Sequence, residues 1–367
     1  MFPLRVLQLP NTLNKKSGVM SVVMNFYKNI DREKIQFDFL CFDVEEENYA
    51  QEITELGGKI YYIDSKYQKN PFKMKKEIMN FLKKHNYSII HYHATSIWKV
   101  ALKVSIELGI KNRIAHSHAT TYSESRIGAF RNKILSRNLV KEANYYLACS
   151  TEAGELLFKQ RKVKLLHNAI DVERFSYDSA KRKEYRKLLG LEGQYVIGHV
   201  GRFSEQKNHD YLIDLFSEYH KNNGDSKLLL VGNGPLQKEI EGKIRSLNLN
   251  SVVKVVGFNS EVENYYQAMD LFVMPSLYEG LPVAGIEAQA SGLPCLFSQT
   301  ISKEVSLCED VAFFDITKEV SKNTVLIDRM KKRVIREKMS DIVREKNYDI
   351  KSEAKELQDL YLSMDYE

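Results

Sequence analysis

The sequence predicts an α/β protein made of two doubly wound domains, each with a parallel sheet. Its 367 residues exceed the size of one ordinary domain and suit two. Short apolar runs alternate with stretches of helical spacing, and this alternation starts again in the second half of the chain. Short apolar runs between helices are typical of parallel strands that are buried on both faces.

The predicted strands fall into two series. Those of the first series are Val6–Leu9, Phe37–Phe42, Lys59–Ile63, Ile89–His93, Arg113–His116, Tyr145–Ala148 and Val163–Leu166. Those of the second series are Tyr195–Val200, Leu228–Val231, Val252–Val256, Leu271–Met274 and Cys295–Phe297. After Ile316 the chain is mostly helical. We predict an N-terminal domain at 1–172, a second domain at 173–348, and a C-terminal helix at 349–367 that is a candidate to pack back on the N-terminal domain.

Composition narrows the class of protein. Apolar residues make up 43% and charged residues 28% of the chain, a balance that excludes a disordered or low-complexity protein. We find no apolar run of about 18 residues and no secretory leader. The four cysteines share no metal-ligand spacing, so we expect a reduced, cytoplasmic protein.

Charge is distributed unevenly along the chain. Residues 1–172 contain 27 Lys and Arg against 17 Asp and Glu, whereas the remainder contains 27 against 31. A basic half suggests an anionic partner, and both nucleic acid and anionic lipid qualify. Uneven solubilising charge explains the same asymmetry equally well.

The loop after the predicted strand Leu271–Met274 contains the most informative motif. It leads into a helix that begins near Val283, with Pro282 suited to the first turn. The free amides of Leu281 and Val283 would then lie at the positive end of a helix, which favours phosphate.

Two carboxylates accompany this predicted phosphate site. Glu279 precedes the helix and Glu287 lies within it. Carboxylates repel phosphate but accept hydrogen bonds from sugar hydroxyls, so the combination indicates a nucleotide sugar. The alternative is that both glutamates merely solubilise the surface.

A second loop supports the ligand interpretation. Arg202 and Lys207 follow the predicted strand Tyr195–Val200, and a pyrophosphate fits such a pair of cations. Gly232, after the next strand, would let a ligand approach the backbone closely. Phe258 and Asn259 follow a third strand and are candidates to edge a nucleobase.

The first half offers weaker signals. Gly18, preceded by Ser17, lies at a loop-to-helix junction and is a candidate anion cradle, although the three-glycine dinucleotide spacing is absent. Two pairs of histidines lie at strand ends: His91 with His93, and His116 with His118. A zinc site is conceivable there, but no cysteine or spaced carboxylate accompanies them, and we expect no metal. One of these histidines is a candidate to bond a substrate hydroxyl, while buried, satisfied histidines are the simpler explanation for the others.

These motifs together resemble those of the retaining glycosyltransferases of family 4. Glu279 and Glu287 match the E-x7-E motif, and Gly201-Arg202 with Lys207 resembles the diphosphate-binding loop. Asn168-Ala169-Ile170-Asp171 is similar to the N-G-(V/I)-D motif between the domains. Arg113–His118 and Tyr278–Pro294 look most like the branch that builds bacterial capsule and exopolysaccharide repeat units.

The resemblance implies the GT-B architecture, in which two Rossmann-like domains face each other across a cleft. It implies transfer with retention from a nucleotide diphosphate sugar, with UDP as the expected nucleotide, to a lipid-linked saccharide, and neither metal nor cofactor. His118 and Glu279 would contact the donor sugar and Glu287 the ribose. The other implied donor-binding residues are Ser17, Gly18, Arg202, Lys207, Gly232, Phe258, Asn259, Gly280, Leu281 and Val283.

Two departures from the family pattern stand out. Ser17 stands before Gly18 where the family often has a second glycine, and Ala169 replaces the usual glycine.

Three other classes of protein compete with glycosyl transfer. They are a sugar-nucleotide epimerase of the same architecture, a catalytically idle partner subunit that keeps the fold, and a nucleic-acid-binding protein, for which no recognised module is found.

The resemblance also offers an explanation for the basic half. Five basic residues and no acidic one lie between Arg126 and Lys141, beside Ile127, Phe130, Ile134 and Leu135 at helical spacing, with Leu139 near the same stripe. A second basic stretch surrounds Tyr67 and Phe72. We hypothesise peripheral docking on the anionic inner face of the cell membrane, where a lipid-linked acceptor would be. The alternative is that the stripe faces the protein core.

Overall fold

The computed structural model describes residues 2–15, 17–42, 47–94, 98–118, 122, 126–257, 261–331 and 335–365. The chain forms two compact units. One unit consists of residues 1–169 with 350–367, and the other of residues 170–349.

The first unit contains a seven-stranded parallel sheet in the order β3-β2-β1-β4-β5-β6-β7. Its strands are β1 Leu4–Leu9, β2 Ile35–Phe42, β3 Ile60–Ile63, β4 Ile89–Ala94, β5 Asn112–Ser117, β6 Tyr145–Ala148 and β7 Lys164–Leu165. Its helices are α1 Gly18–Asn29, α2 Ala50–Glu55, α3 Pro71–Lys84, α4 Lys99–Glu107, α5 Arg126–Leu135, α6 Leu139–Glu142 and α7 Thr151–Phe158.

The second unit contains a six-stranded parallel sheet in the order β10-β9-β8-β11-β12-β13. Its strands are β8 Tyr195–Val200, β9 Ser226–Val231, β10 Val253–Val256, β11 Leu271–Met274, β12 Cys295–Ser298 and β13 Val311–Phe314. Its helices are α8 Val172–Phe175, α9 Ser179–Leu189, α10 His209–His220, α11 Gln237–Ser246, α12 Val262–Ala268, α13 Val283–Ala290, α14 Val320–Met330 and α15 Met339–Glu345.

The sheet of the second unit is buried on both faces, as the apolar runs predict. Val196 and Phe272 contribute to one apolar cluster, together with residues of α12 and α13. Ile197 and Val273, their neighbours in sequence, contribute to a second cluster with residues of α10 and α11. Because successive side chains of a strand point to opposite faces, the two clusters cover the two faces of one sheet.

The last helix, α16 Ile350–Asp365, belongs to the first unit. Leu357 and Tyr361 lie in the apolar cluster that α1 also lines. The side chain of Asn112 donates to the carbonyl of Met364 at 3.0 Å, and the backbone N–H of His167 donates to Glu353 at 2.6 Å. The helix therefore contributes to the core of this unit.

Sequence patterns missed the strand β13. Three of its four residues are only partly buried, and it pairs with β12 as the terminal strand of the order given above. A short edge strand gives a weak apolar signal because one of its sides has no neighbouring strand. All the strands that were predicted recur in the structure, with ends shifted by at most two residues.

One predicted detail is wrong at α13. Its first helical residue is Val283, and Pro282 takes the N-cap position with extended backbone angles, φ −73° and ψ 116°.

Within the described part of the chain, no helix is long and apolar enough to cross a membrane.

Candidate active site

The predicted donor site lies at a reversal of strand order in the second unit. β8 has β9 on one side and β11 on the other, so the loops after β8 and β11 leave the sheet side by side. Ligands of open α/β sheets bind outside the carboxyl ends of the strands at such a point. Arg202 and Lys207 follow β8, and Glu279 follows β11.

Lys207 and Glu279 are in direct contact. The Lys207 ammonium lies 2.6 Å from Glu279 Oε1, and both side chains are largely buried. The backbone ties the same loops together, because the N–H of Leu277 donates to the carbonyl of Gln206 at 2.8 Å. Gln206 in turn donates to the carbonyl of Tyr278 at 3.0 Å. Lys207 and Glu279 are 72 positions apart in the sequence and were predicted to belong to one site; the structure shows them as an ion pair.

Arg202 differs from Lys207 in its surroundings. Its side chain is exposed, and within the described residues we find no ion pair that includes it. An exposed guanidinium at the carboxyl end of a strand is available to grip a phosphate with two hydrogen bonds.

Gly232 belongs to the same edge of the sheet. Its φ is +141°, and a Cβ atom there would lie 2.1 Å from the carbonyl oxygen of Gly201. No larger residue fits without moving the backbone of the β8 loop, because this contact is with the main chain. Gly232 therefore shapes the loop that carries Arg202 and Lys207.

The second carboxylate, Glu287, is held by a tyrosine. The hydroxyl of Tyr266 on α12 donates to Glu287 Oε2 at 2.8 Å. Burial raises the pKa of Glu287 to about 7, although the hydrogen bond from Tyr266 and the charge of Arg174 lower it. A half-buried carboxylate that titrates near neutrality is typical of a functional site. Sequence analysis missed Tyr266, since no spacing rule connects it to a glutamate on another helix.

The residues around the start of α13 adjoin these groups in the chain. Leu281 is buried, whereas Gly280 and Val283 are partly buried. The eight-residue helix that begins at Val283 has a positive N-terminal end, as predicted for a phosphate site. The predicted base-lining residues Phe258 and Asn259 lie outside the described residues.

Ser17 and Gly18 lie in the first unit, where α1 begins. The Ser17 hydroxyl caps this helix by accepting from the N–H of Met20 at 3.3 Å. A Cβ atom on Gly18 would meet nothing within 4 Å, so the space beside its Cα atom is open. The departure from the glycine pair therefore has a local reason: serine is a better N-cap than most residues.

The four histidines form one cluster: His91 and His93 lie on β4, His116 lies on β5, and His118 follows β5 directly. His93 Nδ1 lies 2.9 Å from His118 Nε2, and His93 Nε2 lies 2.9 Å from Gln8 Oε1. His91 lies 2.6 Å from the hydroxyl of Tyr361 and 3.3 Å from His116 Nδ1. Burial lowers the pKa of all four, to about 3 for His91 and about 4 for His118, so the rings are neutral at pH 7.

Three of these rings are close enough to share a metal ion. One nitrogen each of His91, His93 and His116 lies within 4.8 Å of the others, and neutral imidazoles are metal ligands. Both nitrogens of His91 and His93 already have hydrogen-bonding partners, so a metal would have to displace those contacts. Among the described residues no carboxylate or thiolate completes this group, which would leave the charge of a buried dication uncompensated.

Comparison with known proteins identifies the chain as a glycosyltransferase. Residues 181–349 match the model for glycosyl transferases group 1, and residues 16–174 match that for glycosyltransferase family 4. The glycosyltransferase EpsF of Bacillus subtilis is 36% identical over 82% of this chain and 80% of its own length. The capsular polysaccharide biosynthesis glycosyltransferase CapH of Staphylococcus aureus is 26% identical over 98% of this chain and 99% of its own.

Two further comparisons bear on ligand and fold. An Escherichia coli relative named UDP-Gal:alpha-D-GlcNAc-diphosphoundecaprenol alpha-1,3-galactosyltransferase is 24% identical over 77% of this chain and 76% of its own. The crystal structure of Anabaena Alr3699/HepE in complex with UDP superposes with a TM-score of 0.80 at 18% identity, covering 98% of this chain and all of that one.

The two parallel-sheet Rossmann-like units are those of the GT-B architecture, which confirms the predicted fold. The chain belongs to the family 4 glycosyltransferases, in the group that includes enzymes of exopolysaccharide and capsule synthesis.

Proposed function

We propose that this glycosyltransferase moves a sugar from a UDP-sugar to a lipid-linked saccharide during bacterial capsule or exopolysaccharide synthesis. The observation that carries the donor half of this proposal is the Lys207–Glu279 ion pair where the strand order reverses. It unites a cation for a diphosphate and an acceptor for sugar hydroxyls at one point. The names of CapH and the Escherichia coli relative support the pathway and the lipid-linked acceptor.

The donor would meet these groups in a fixed order. Glu287 accepts from the ribose hydroxyls, Arg202 and Lys207 neutralise the diphosphate, and Glu279 accepts from the sugar. A diphosphate carries more negative charge than one carboxylate, so it competes with Glu279 for Lys207. Donor binding then releases a Glu279 oxygen to the sugar hydroxyls.

The proposed chemistry retains the configuration of the anomeric carbon. The bond from this carbon to the diphosphate oxygen breaks, and the acceptor oxygen forms its new bond on the same face. The acceptor proton passes to a phosphate oxygen of the leaving UDP. Arg202, Lys207 and the N-terminus of α13 stabilise the charge that develops on UDP, which is the work that a metal ion performs elsewhere. We therefore propose transfer without a metal.

The acceptor side involves the first unit. By the family resemblance, we also assign Ser17, Gly18 and His118 of the first unit to contacts with the substrates, Gly18 through its backbone amide. On α5, Phe130 is 69% and Ile134 45% exposed, and Arg131 and Lys133 are exposed beside them.

Two observations refine the predicted apolar stripe. Leu139, which was predicted to lie near the stripe, begins a separate helix, α6, and is fully buried. Phe130 and Ile134 are exposed, contrary to the alternative in which the stripe faces the core. The side chains of Ile127 and Leu135 lie outside the described residues.

A second exposed surface shares this chemistry. Phe72 at the start of α3 is 88% exposed, and Lys73 and Lys76 are exposed next to it. Basic and apolar side chains together suit the interface of an anionic leaflet, and each Lys or Arg near such a surface contributes about 1 kcal/mol. We propose that the enzyme attaches peripherally to the inner face of the cell membrane through these surfaces.

A transfer assay tests the proposed reaction. The enzyme is incubated with EDTA, a panel of UDP-, GDP- and ADP-sugars, and saccharides linked to a lipid diphosphate. We expect release of UDP and a product whose anomeric proton coupling matches that of the donor. Inversion, activity only after manganese or magnesium is added, or an epimerised sugar nucleotide from donor alone would contradict the proposal.

A further inference from the structure

The surroundings of Glu287 contain a residue with a definable role. Tyr266 is completely buried, and its ring packs against Phe175 and Phe272 at centroid distances of 5.9 Å each. Its hydroxyl lies 2.8 Å from Glu287 Oε2 and 3.3 Å from the carbonyl oxygen of Ala284. A phenol has one proton to donate, and the shorter contact is with the charged acceptor, so the Tyr266 hydroxyl donates its hydrogen bond to Glu287.

Tyr266 remains a donor throughout the useful pH range. Burial and the neighbouring Glu287 raise the pKa of its phenol well above the usual value, so it keeps its proton. The hydrogen bond to Oε2 fixes one oxygen of the carboxylate and leaves the other for a ligand. When Glu287 takes up a proton, Oε2 is already engaged, so the proton goes to the other oxygen and makes it a weaker acceptor for a ligand hydroxyl.

Other charged groups also face Glu287. Arg174 on α8 and Lys207 after β8 favour its ionised form, whereas Glu263 on α12 opposes it. Arg174 and Lys207 are each paired with another carboxylate, Glu263 at 2.7 Å and Glu279 at 2.6 Å. Among the described residues, Tyr266 is therefore the group that bonds the Glu287 side chain directly, while Arg174 and Lys207 act on it through their charge.

We propose that Tyr266 is a positioning residue for nucleotide binding: its hydroxyl keeps Glu287 ionised and oriented as the acceptor for the ribose hydroxyls. This role rests on the proposed function of Glu287. It requires no contact between Tyr266 and the ligand. The tyrosine acts entirely through the carboxylate, and its effect is therefore greatest at the pH where that carboxylate titrates.

The test is the pH dependence of UDP affinity in Tyr266→Phe, measured by calorimetry between pH 5.5 and pH 9. UDP's own terminal phosphate titrates near pH 6 in every variant, so the ratio of wild-type to variant affinity is compared at each pH. If the loss of the hydroxyl raises the Glu287 midpoint by about one pH unit, Tyr266→Phe binds about fivefold more weakly at pH 7 and within twofold of wild type at pH 9. Tyr265→Phe, the matched control on the same helix, is expected to show a flat ratio.

Three further outcomes distinguish a positioning role of Tyr266 from a purely structural one, and both from a failure of the proposed function. A ratio for Tyr266→Phe that is the same at every pH would overturn the proposal, because a purely structural defect has no reason to follow a carboxylate. Added to Glu287→Gln, the Tyr266→Phe change is expected to weaken UDP binding by less than twofold, and a full additive loss would also overturn it. The UDP affinities of the single and the double variant are calculated for the folded fraction of each protein, which thermal melting establishes. Failure of the wild type to bind UDP at any pH would instead refute the proposed function.

Discussion

At the residue scale, the Lys207–Glu279 ion pair joins the residue that we propose for the diphosphate to the residue that we propose for the donor sugar. In the free enzyme each partner neutralises the other, at 2.6 Å and with little solvent exposure. A buried charge that loses its partner is costly, so neither can be removed without an effect on the other. In the proposed function, the pair holds the cation for the diphosphate and the acceptor for the sugar together until a donor separates them.

The first prediction concerns Glu279→Gln. Because the amide no longer competes for Lys207, we expect affinity for free UDP to stay equal to that of wild type or to rise. Turnover is expected to fall by at least tenfold, since the sugar loses a charged acceptor. Calorimetry and a transfer assay check the two parts. Weakened UDP binding with normal turnover would mean that Glu279 and Glu287 have exchanged roles.

The second prediction concerns the effect of Glu287 on the folding stability of the protein. Its folded pKa of about 7 lies above the ordinary value, so the folded state pays to ionise it, and stability decreases as pH rises from about 4.5 to about 7. We expect Glu287→Gln to raise the free energy of unfolding at pH 8 by about 1–2 kcal/mol, a figure reduced for partial solvent screening. At pH 4.5 the two proteins should unfold alike, while the variant binds UDP more weakly at pH 8. Equal unfolding curves at pH 8 would show that the carboxylate is not destabilised in the folded state.

At the scale of elements, the helix α16 supports a buried polar cluster. Tyr361 approaches both His91, at 2.6 Å, and the side-chain amide of Gln8, at 3.3 Å. Helix and sheet are therefore joined by hydrogen bonds as well as by apolar packing.

The third prediction follows from these contacts. Tyr361→Phe leaves His91 without a partner at Nδ1 in a buried site, so we expect a loss of about 1–3 kcal/mol in the free energy of unfolding of the first unit. UDP affinity, which we assign chiefly to the second unit, should change by less than twofold. Denaturant melts and calorimetry measure both. A Tyr361→Phe protein as stable as wild type would remove the helix from this role.

The fourth prediction concerns α5. Sedimentation with vesicles is expected to require anionic lipid, to decrease with salt, and to weaken at least tenfold when Arg131, Lys133 and Arg137 are all changed to Glu. Reversing Lys187, Lys238 and Lys318, exposed residues of the second unit, alters net charge equally and serves as the control. Equal loss in both triple variants would indicate a general effect of charge, and equal binding to neutral vesicles would rule out the basic surface as the anchor.

At the scale of the whole molecule, local patterns predict most of the fold. Buried strands such as β8 and β11 have the predicted ends, because a parallel strand covered on both faces must be apolar throughout. The edge strand β13 lacks that constraint and escaped detection. Leu139 was placed near the α5 stripe because helical spacing continues across Asn138, whereas α5 ends at Leu135 and Asn138, with φ 63°, precedes the separate helix α6.

The candidate site was partly predictable for a related reason. Arg202, Lys207 and Glu279 were found because parallel strands bring their carboxyl ends to one edge, which a strand assignment reveals. Tyr266 was not found, since its contact with Glu287 depends on how α12 packs against α13, and no local spacing encodes that. The raised pKa of Glu287 likewise follows from burial in three dimensions.

The proposed donor site is tested most directly by titration of UDP into the enzyme at pH 8 in the presence of EDTA, with Lys207→Ala as the variant and Lys238→Ala as the control. We expect metal-independent binding that prefers UDP to GDP and ADP. We also expect a loss of about 1.5–3 kcal/mol in binding free energy in Lys207→Ala, the value of one charge-assisted contact, and no change in the control. Absence of UDP binding under EDTA, or equal affinity in wild type and Lys207→Ala, would contradict the proposed donor site.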